Sequence, residues 1–519
     1  VVSRQQLEST VWRGVIVGYD SLGSTIIKLR KAFNDDSRNP AIIQTIPKKG
    51  YRLIAPVAFV DSPTANTAGH ALRPGEKHPV KTRLRVVVSL ALVIAAVVIA
   101  ALLMTESRLG EPSRTHSPDA PRLAVLPFRN LSADPRQEYF SDGISADLIT
   151  DLAKLDQVAV IARNSTFVYR NTDVDVRRLK AELGVDYVVE GSVRRDDTRV
   201  RISARLIDAS SGINIWADRF DAEFSDMFSL QDMVVERIVS ALELRLSEEE
   251  QDRIAAVYTS SISAYDYFLQ GWQYFWRYTP EDNAQAREHY LKAVELDPDF
   301  ARAYANLAVT HAFDYMNGWS DDPEDALEQA NTYITEAVRL DERLPQVQWA
   351  VGIVNTYAQN YDVAIRAAEK AIAQSPNFAD GYGLLATVLN YAGKPAEARK
   401  VMQKAMRLNP RHPFIYQMIL GQIHFNLREY QTAADHFKQA AERNPTAQEV
   451  RLWLAATYAY LGRQADAGWE LEQIDNAGAK LSVDYFEQFF PLKDPALRKH
   501  LIDGLIEAGL DTQRGRPAR

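Results

Sequence analysis

The pattern of hydrophobic positions contains one long uninterrupted apolar stretch. Residues 86–105, VVVSLALVIAAVVIAALLMT, carry no charged side chain. A helix of this length spans about 30 Å, which is the thickness of the hydrocarbon core of a bilayer. Helices buried in soluble cores seldom stay apolar on every side for so many residues. The pattern therefore predicts one transmembrane helix over 86–105.

The charges that flank this stretch predict its orientation. Arg108 and Arg114 follow it beside Glu106 and Glu111, whereas the residues before it are strongly basic. The basic residues are Arg73, Lys77, Lys81, Arg83 and Arg85. Because positively charged flanks stay on the cytoplasmic side, we expect a single-pass inner-membrane protein with a cytoplasmic N-terminus and a periplasmic or otherwise extracytoplasmic C-terminal region. Residues 58–85 and 106–121 are predicted to be linkers.

Residues 122–250 alternate between strand-like and helix-like patterns. Leu123–Phe128 is a short apolar run, as expected of a buried strand, and Tyr139 to Leu155 carries apolar residues at helical spacing. Along Arg199–Asp208 apolar and polar residues alternate, which is typical of a half-exposed strand. The region is predicted to form an α/β domain.

Four aspartates, Asp134, Asp142, Asp147 and Asp151, lie on or just before the predicted helix of this domain. A metal or acid–base site would need a partner histidine or a Gly-rich phosphate loop at defined spacing, and the sequence has neither in this region. We interpret the four carboxylates as the solvated face of a helix. No catalytic residue, cofactor or metal site is predicted in the chain.

Residues 262–475 repeat with a period close to 34. Alanine recurs at two series of positions: Ala286, Ala330, Ala364, Ala398 and Ala433, and then Ala293, Ala337, Ala371, Ala405 and Ala440. The first interval is ten residues longer, which predicts an insertion around Met316–Pro323. Small residues at fixed spacing let paired helices pack closely, and this period is typical of the tetratricopeptide repeat (TPR). An all-α TPR solenoid is expected, followed by a capping helix within 484–510.

The repeats carry many tryptophans, and two roles stay open for them. They are either part of the core between repeats, which is the commoner case, or anchors for a bound ligand. The residues concerned are Trp272, Trp276, Trp319, Trp349, Trp453 and Trp469. Because TPR arrays form extended binding surfaces, a protein or peptide partner is expected on this region.

The first 57 residues predict two helices and a hairpin. The second helix has one apolar stripe, formed by Leu22, Ile26, Leu29 and Phe33. Two β-prone runs, Ala41–Ile46 and Tyr51–Ala55, flank a turn with two lysines. On spacing alone, two interpretations stay open: a DNA-binding helix with a basic hairpin beside it, or a small α+β fragment with a solvated basic face.

Charge is distributed unevenly along the chain. The net charge of the 519 residues is −8, yet residues 1–105 hold 14 Lys and Arg against 6 Asp and Glu. This leaves −16 for residues 106–519, so only the N-terminal part is expected to meet a polyanion such as nucleic acid. The chain has no cysteine, which excludes disulfides and thiol chemistry.

A resemblance favours DNA binding. The run LRKAFNDDSRNPAIIQTIPKKGYRLIAPV (Leu29–Val57) resembles the C-terminal half of an OmpR/PhoB-type winged helix, with Asn39-Pro40, Thr45 and Gly50-Tyr51-Arg52 in matching order. The resemblance implies that 1–57 is the C-terminal part of such a domain and that it binds double-stranded DNA as a homodimer. It implies a DNA-contacting set in which Ser24, Thr25, Lys28 and Lys31 face the major groove, Arg30 lies near the backbone, and Lys48 and Lys49 form the tip of the wing.

Two further resemblances concern the layout of the chain. The stretch AVLPFRNLSADPRQEYFSDGISADLITDLAKL is similar to a TolB-N/FlgO-like α/β domain. A winged helix followed by a membrane helix, without a receiver domain before it, resembles the CadC/ToxR-like one-component regulators. The expected protein is therefore a multidomain, membrane-anchored transcription regulator: a partial winged helix (α+β), one transmembrane helix, an α/β sensor domain over 122–250 and an all-α TPR solenoid.

Two alternatives stay open at this point. The chain could be an envelope TPR scaffold with a vestigial DNA-binding head, which the incomplete winged helix favours if Val1 is the true start. An enzyme, for instance a nucleotide cyclase that shares these modules, ranks third because no stretch of sequence is left for a catalytic domain.

Overall fold

The structure, a computed structural model, describes residues 43–46, 50–53, 120–196, 198–255, 258–476 and 490–510. The chain divides into two compact units, Val1–Met104 and Thr105–Arg519. Each unit is described separately below.

In the first unit the structure describes a pair of strands. Ile43–Ile46 (β1) and Gly50–Leu53 (β2) pair antiparallel, with Ile43 opposite Leu53 and Ile46 opposite Gly50. This is the hairpin that the two β-prone runs predict. Its connecting residues 47–49 and both predicted helices lie outside the described residues.

The expected transmembrane helix is corrected by the structure. Across the described residues, no helix combines the length and the apolar character needed to cross a bilayer. The longest of them, Pro323–Asp341 with 19 residues, carries six charged side chains, so its surface could not lie in hydrocarbon. Segment 86–105 itself is outside the described residues. Two expectations depended on that helix: a fold class that includes one transmembrane helix, and a location in the inner membrane. Both are contradicted for the described residues.

The second unit begins with a mixed sheet. Its strands are Arg122–Val125 (β3), Arg129–Asn130 (β4), Ala159–Val160 (β5), Tyr187–Arg195 (β6), Arg199–Asp208 (β7) and Asn214–Glu223 (β8). They lie in the order β5-β3-β6-β7-β8, with β4 beside β6. β3 is parallel to β5 and β6, whereas β6, β7 and β8 run antiparallel. β3 is an apolar run because both of its faces are covered, and β7 alternates because only one face is buried.

Helices cover this sheet and complete what we call the sheet domain, residues 120–255. They are Glu138–Leu152 (α1), Arg163–Thr166 (α2), Val176–Leu183 (α3), Met227–Ala241 (α4) and Glu248–Ile254 (α5). Leu148 of α1 and Val234 of α4 are fully buried in a core that also contains Ile202 of the sheet. The last helix begins with a reciprocal capping box between Ser247 and Glu250. The predicted α/β domain is confirmed as a mixed-sheet domain.

Helical hairpins follow and form the repeat array, residues 258–476. The helices are Ile262–Phe275 (α6), Pro280–Leu296 (α7), Ala301–Asn317 (α8), Pro323–Asp341 (α9), Pro345–Tyr357 (α10), Tyr361–Gln374 (α11), Ala379–Tyr391 (α12), Pro395–Leu408 (α13), Phe414–Asn426 (α14), Tyr430–Arg443 (α15), Gln448–Tyr460 (α16) and Gln464–Asn476 (α17). Helices α8, α10, α12, α14 and α16 pack against one another in succession, which is how the repeats stack.

The alanines that revealed the period are the close-packing positions of the array. All ten are fully buried. Close approach also explains Gly421 on α14, where an added Cβ would lie 2.5 Å from the ring of Phe437 on α15. The predicted insertion follows α8, which ends at Asn317 before Gly318 adopts a left-handed conformation. The helical repeats are thus confirmed.

A last helix, Pro495–Ala508 (α18), packs against α16 and α17. Asp494 caps its N-terminus by accepting from the backbone N–H groups of Ala496 and Leu497. Leu501 and Leu505 are buried, and an added Cβ at Gly504 would lie 2.7 Å from the ring of Tyr460. This helix covers the end of the array that α16 would otherwise expose.

Candidate functional site

The sheet domain docks on the repeat array through a buried ion pair. Asp147 on α1 accepts from both terminal guanidinium nitrogens of Arg302, the second residue of α8, at 3.1 Å each. The hydroxyl of Tyr265 on α6 donates to the other oxygen of this carboxylate. Asp147 is 3% and Arg302 4% exposed. Burial alone would lower the pKa of Arg302, but Asp147, Tyr258 and Tyr265 together offset this and raise it, so the guanidinium stays charged.

A second polar group lies beside the first. Asp151, one turn further along α1, pairs with Lys154 at 2.8 Å and accepts from the hydroxyl of Tyr258 at 2.6 Å. The Tyr258 ring in turn lies under Arg302, whose guanidinium carbon is 4.2 Å from the ring centroid. Lys154 is 2% exposed. The two groups therefore form one buried network across the junction.

The interpretation of the four aspartates as a solvated face is wrong for three of them. Asp142, Asp147 and Asp151 are all less than a tenth exposed. Asp142 pairs with Arg170, and its burial raises its pKa to about 6. Only Asp134 remains partly exposed, where it caps a 3-10 turn and pairs with Arg136 at 2.9 Å. The array supplies a hydroxyl to both Asp147 and Asp151 and a cation to Asp147, which is why these carboxylates can be buried.

Two loops of the array complete the junction. The side-chain amide of Asn377, which precedes α12, donates to the carbonyls of Leu155 and Val158 at 2.8 Å each. Further along, Ser165 of α2 donates to the Asn409 side chain at 2.6 Å and accepts from the backbone N–H of Arg411 at 2.8 Å. The sheet domain thus lies along the loops and first turns of consecutive repeats.

A cavity of about 110 Å³ lies in this junction, and we call it the junction pocket. Helix α1 and the residues after β5 form one wall, and helices α6, α8, α10 and the start of α12 form the other. Its apolar wall is largely aromatic: Phe268, Trp272, Phe275, Trp276, Trp349 and Phe378. A mainly apolar cavity with a few polar groups is typical of a small-molecule site.

Arg163, three residues after β5, is the cationic group of this pocket that has no ion-pair partner among the described residues. Its guanidinium carbon lies 4.1 Å from the ring centroid of Phe167 and 4.4 Å from that of Trp272. Its Nε is buried and donates to no atom that the structure describes. Burial lowers the pKa of Arg163 to about 10, so the side chain still carries its charge at neutral pH.

The opposite wall contains a carboxyl group. Asp380, the second residue of α12, accepts from the hydroxyl of Tyr416 at 2.9 Å, and burial raises its pKa. Asp142, which pairs with Arg170, attracts Arg163 electrostatically, and Asp380 adds a smaller attraction. Gln346 also lines the pocket, and its Oε1 is buried without a partner in the described part of the chain.

The tryptophans divide between the two roles that the sequence left open. Trp453 is fully buried in the array, as expected of a core residue. Trp272, Trp276 and Trp349 line the junction pocket instead, and Trp469 is 52% exposed. Sequence reasoning missed Arg163 altogether, although one signal was available: in α/β domains, ligands bind beyond the carboxyl ends of parallel strands, and Arg163 follows β5.

The predicted DNA-contacting residues lie outside the described residues. This applies to Ser24, Thr25, Lys28, Arg30 and Lys31 of the predicted helix, and to Lys48 and Lys49 between β1 and β2. Their assignment stays a prediction, and the structure contributes only the strands on either side of the two lysines.

Models of known protein families match parts of both units. A model described as "Transcriptional regulatory protein, C terminal" matches residues 1–53. A model of the second domain of HilA/YgeH-like transcriptional regulators matches residues 119–237, the region for which the sequence indicated a TolB-N/FlgO-like domain. TPR models match residues 281–312 and 420–477.

Individual relatives give the same result over longer stretches. The chain is 23% identical over 392 residues to the transcriptional activator CadC of Escherichia coli, covering 66% of this chain and 72% of CadC. It is 42% identical over 67 residues to the cholera toxin transcriptional activator of Vibrio cholerae, covering 12% and 23%. The chain is a relative of the CadC/ToxR-like regulators with TPR repeats. The predicted resemblance is therefore confirmed.

Another relative has a different name. Over 247 residues the chain is 38% identical to "Putative adenylate cyclase 3" of Rhizobium meliloti, and the match covers 48% of this chain and 42% of that protein. The chain thus matches less than half of that relative's length. The other relatives found are transcription regulators.

Proposed function

We propose that this chain is a DNA-binding transcription regulator whose output is controlled by the sheet domain and the repeat array. The observation that carries the proposal is the presence, in one chain, of a match to a DNA-binding regulator domain at 1–53 and a match to a HilA-like second domain at 119–237. The antiparallel pair β1–β2 supports it, because a wing is a hairpin of this kind.

In this proposal the basic N-terminal region, residues 1–57, binds double-stranded DNA as a homodimer. We call this region the head. Lys28, with Ser24 and Thr25, reads base edges in the major groove, since a helix fits that groove. Lys31, Lys48 and Lys49 neutralise phosphates, and Arg30 lies against the backbone. Two heads bound to paired half-sites would set the spacing of the operator.

Control is proposed to act through the junction. The buried Asp147–Arg302 pair joins the sheet domain firmly to the array, so a ligand in the junction pocket contacts both at once. Such a ligand stabilises the joined arrangement by its binding free energy and so shifts the population of conformers. The shift changes the association of two chains, and with it the binding of paired heads to DNA.

The repeats also support a second candidate, a scaffold that binds a protein or peptide partner, since TPR arrays commonly do so. The docked sheet domain makes this less favourable. It already occupies the loops and first turns around Asn377 and Asn409. A partner would therefore have to bind other surfaces of the array.

Selection of DNA from a random duplex pool by the full chain tests the proposal. We expect enrichment of a motif with two half-sites about one helical turn, or a multiple of it, apart. We also expect the affinity to fall steeply with salt, because phosphate contacts release counterions. A pool that gains no common motif after repeated rounds would contradict DNA reading and favour the scaffold.

A further inference from the structure

Arg163 is held in an unusual way for a partly buried cation. The rings of Phe167 and Trp272 lie 4.1 and 4.4 Å from its guanidinium carbon, while Nε has no acceptor among the described residues. The Asp142 carboxylate attracts this cation from a distance, but no described acceptor bonds to the buried Nε, and a buried donor without a partner is costly; the site is therefore suited to a bound anion that accepts from this edge. A guanidinium held by its faces offers its edge for two parallel hydrogen bonds to a carboxylate.

The surrounding helices favour the same sign of charge. Helices α8, α10 and α12 all begin at the junction pocket, contributing Arg302, Gln346 and Ala379 from their first turns. Helix N-termini carry a partial positive charge and favour anions. Arg302 adds little to this field because Asp147 neutralises it.

The remainder of the pocket is suited to an apolar group. Trp276 and Trp349 belong to its wall, and Ala146, Ile149 and Ala153 of α1 line the side opposite them. A volume of about 110 Å³ is several times what one ordered water needs, but it is too small for a folded partner. The shape therefore fits a compact ring or a branched chain.

We infer that the junction pocket binds a small organic carboxylate with an aromatic or branched apolar body, whose carboxylate pairs with the edge of Arg163. The inference rests on the proposed function only in giving the ligand a regulatory role; the binding itself does not require it. Asp380 lines the same cavity. Because Tyr416 donates to its Oδ1 and burial raises its pKa, it is poorly suited to hold a cation in place of Arg163.

Calorimetry on the full chain with three probes of matched shape tests this. The probes are phenylacetate, its neutral amide phenylacetamide and the cation 2-phenylethylamine. We expect saturable binding of phenylacetate and at least about tenfold weaker binding of the other two, because a hydrogen bond between charged groups is stronger than one between neutral groups. Tighter binding of 2-phenylethylamine, equal binding of all three, or no saturation by phenylacetate at about 10 mM would each overturn the inference.

Variants connect the binding to Arg163. In Arg163→Gln we expect phenylacetate to bind at least about tenfold more weakly, with Arg163→Lys between the two because it keeps the charge but not the paired geometry. Arg366→Gln, which removes an exposed arginine of α11, is the matched control and should bind as the parent chain does. Unchanged affinity in Arg163→Gln would overturn the assignment.

Two further measurements separate misfolding and the proposed function from the inference. If circular dichroism shows that Arg163→Gln does not fold, Arg163→Lys and Trp276→Ala are used instead, and both should weaken phenylacetate binding. Trp469→Phe is their control, because this tryptophan is exposed and lies outside the pocket. It should bind phenylacetate as the parent chain does. Phenylacetate binding by a chain that selects no DNA would contradict the proposed function and support this inference. DNA selection by a chain that does not bind phenylacetate would do the opposite.

Discussion

Arg302 of the repeat array places both terminal guanidinium nitrogens 3.1 Å from one carboxylate oxygen of Asp147 in the sheet domain. The two residues are 155 positions apart in the sequence and are almost completely buried. This pair joins the sheet domain to the repeat array, two regions that sequence patterns predict as separate domains. It also fixes one wall of the junction pocket, because Arg302 lines that pocket.

Removal of one partner of this pair should destabilise the second unit strongly. In Arg302→Met the Asp147 carboxylate stays buried without its cation, for which we expect a loss of about 3 to 5 kcal/mol in the free energy of unfolding. The double variant Asp147→Asn/Arg302→Met removes both charges of this pair and should recover part of the loss. Chemical denaturation of the parent chain, of Asp147→Asn and Arg302→Met singly, and of the double variant measures both effects, and additive losses in the double variant would contradict a direct coupling.

The acidic helix illustrates where the sequence was insufficient. Asp147 and Asp151 look like residues of a solvated face, because their partners lie far away in the sequence: Tyr258 is 107 residues from Asp151, and Tyr265 is 118 residues from Asp147. Periodicity reports only the local environment of a helix. The burial of these carboxylates depends on how a domain and an array dock, which no local pattern encodes.

Close packing of α1 on α6 gives a second prediction. An added Cβ at Gly143 would lie 2.5 Å from the side chain of Leu269, so Gly143→Ala should destabilise by about 1 to 3 kcal/mol despite the better helix propensity of alanine. Gly468→Ala is the matched control, because this helical glycine of α17 has nothing within 4 Å of such a Cβ. It should stabilise by about 0.4 to 1 kcal/mol. Thermal unfolding measures both, and shifts of the same sign would contradict the packing argument.

The alanines of the array show the opposite case to the aspartates. All ten alanines predicted from the period are buried, because a repeat encodes its contacts with its own neighbours at fixed spacing. The tryptophans were less predictable. Trp453 and Trp272 share a residue type and a place in the repeats, 14 residues before Ala467 and Ala286, but only Trp272 lines the junction pocket, so spacing cannot distinguish a core residue from a pocket residue.

The protonation of Glu449 should make the free energy of unfolding depend on pH. Gln422 donates to its Oε1 at 3.0 Å, and burial raises its pKa to about 7, against about 4.3 in an unfolded chain. The folded state therefore binds this proton more tightly, and the free energy of unfolding should fall as the pH rises from about 4.3 through about 7. Glu449→Gln should flatten that fall.

Melting temperatures at intervals between pH 4.5 and 8 measure this effect, with about one pH unit between points. The control is Glu442→Gln, which changes an exposed glutamate of the preceding helix and should leave the profile of the parent chain unaltered. Parallel profiles for the parent chain and Glu449→Gln would contradict a proton held at this site.

Substitution of two lysines of the head should have two distinguishable effects on DNA binding by the full chain. Lys49→Ala should weaken binding to selected and random duplexes alike and reduce the slope of log affinity against log salt by about 0.9, since one phosphate contact is lost. Lys28→Ala should instead cost about 1 to 3 kcal/mol on the selected sequence and little on random DNA, because a base contact is lost. Fluorescence anisotropy on both duplexes at several salt concentrations measures the two effects. An equal loss on both duplexes for Lys28→Ala would remove Lys28 from the base-reading set and leave it a phosphate contact like Lys49.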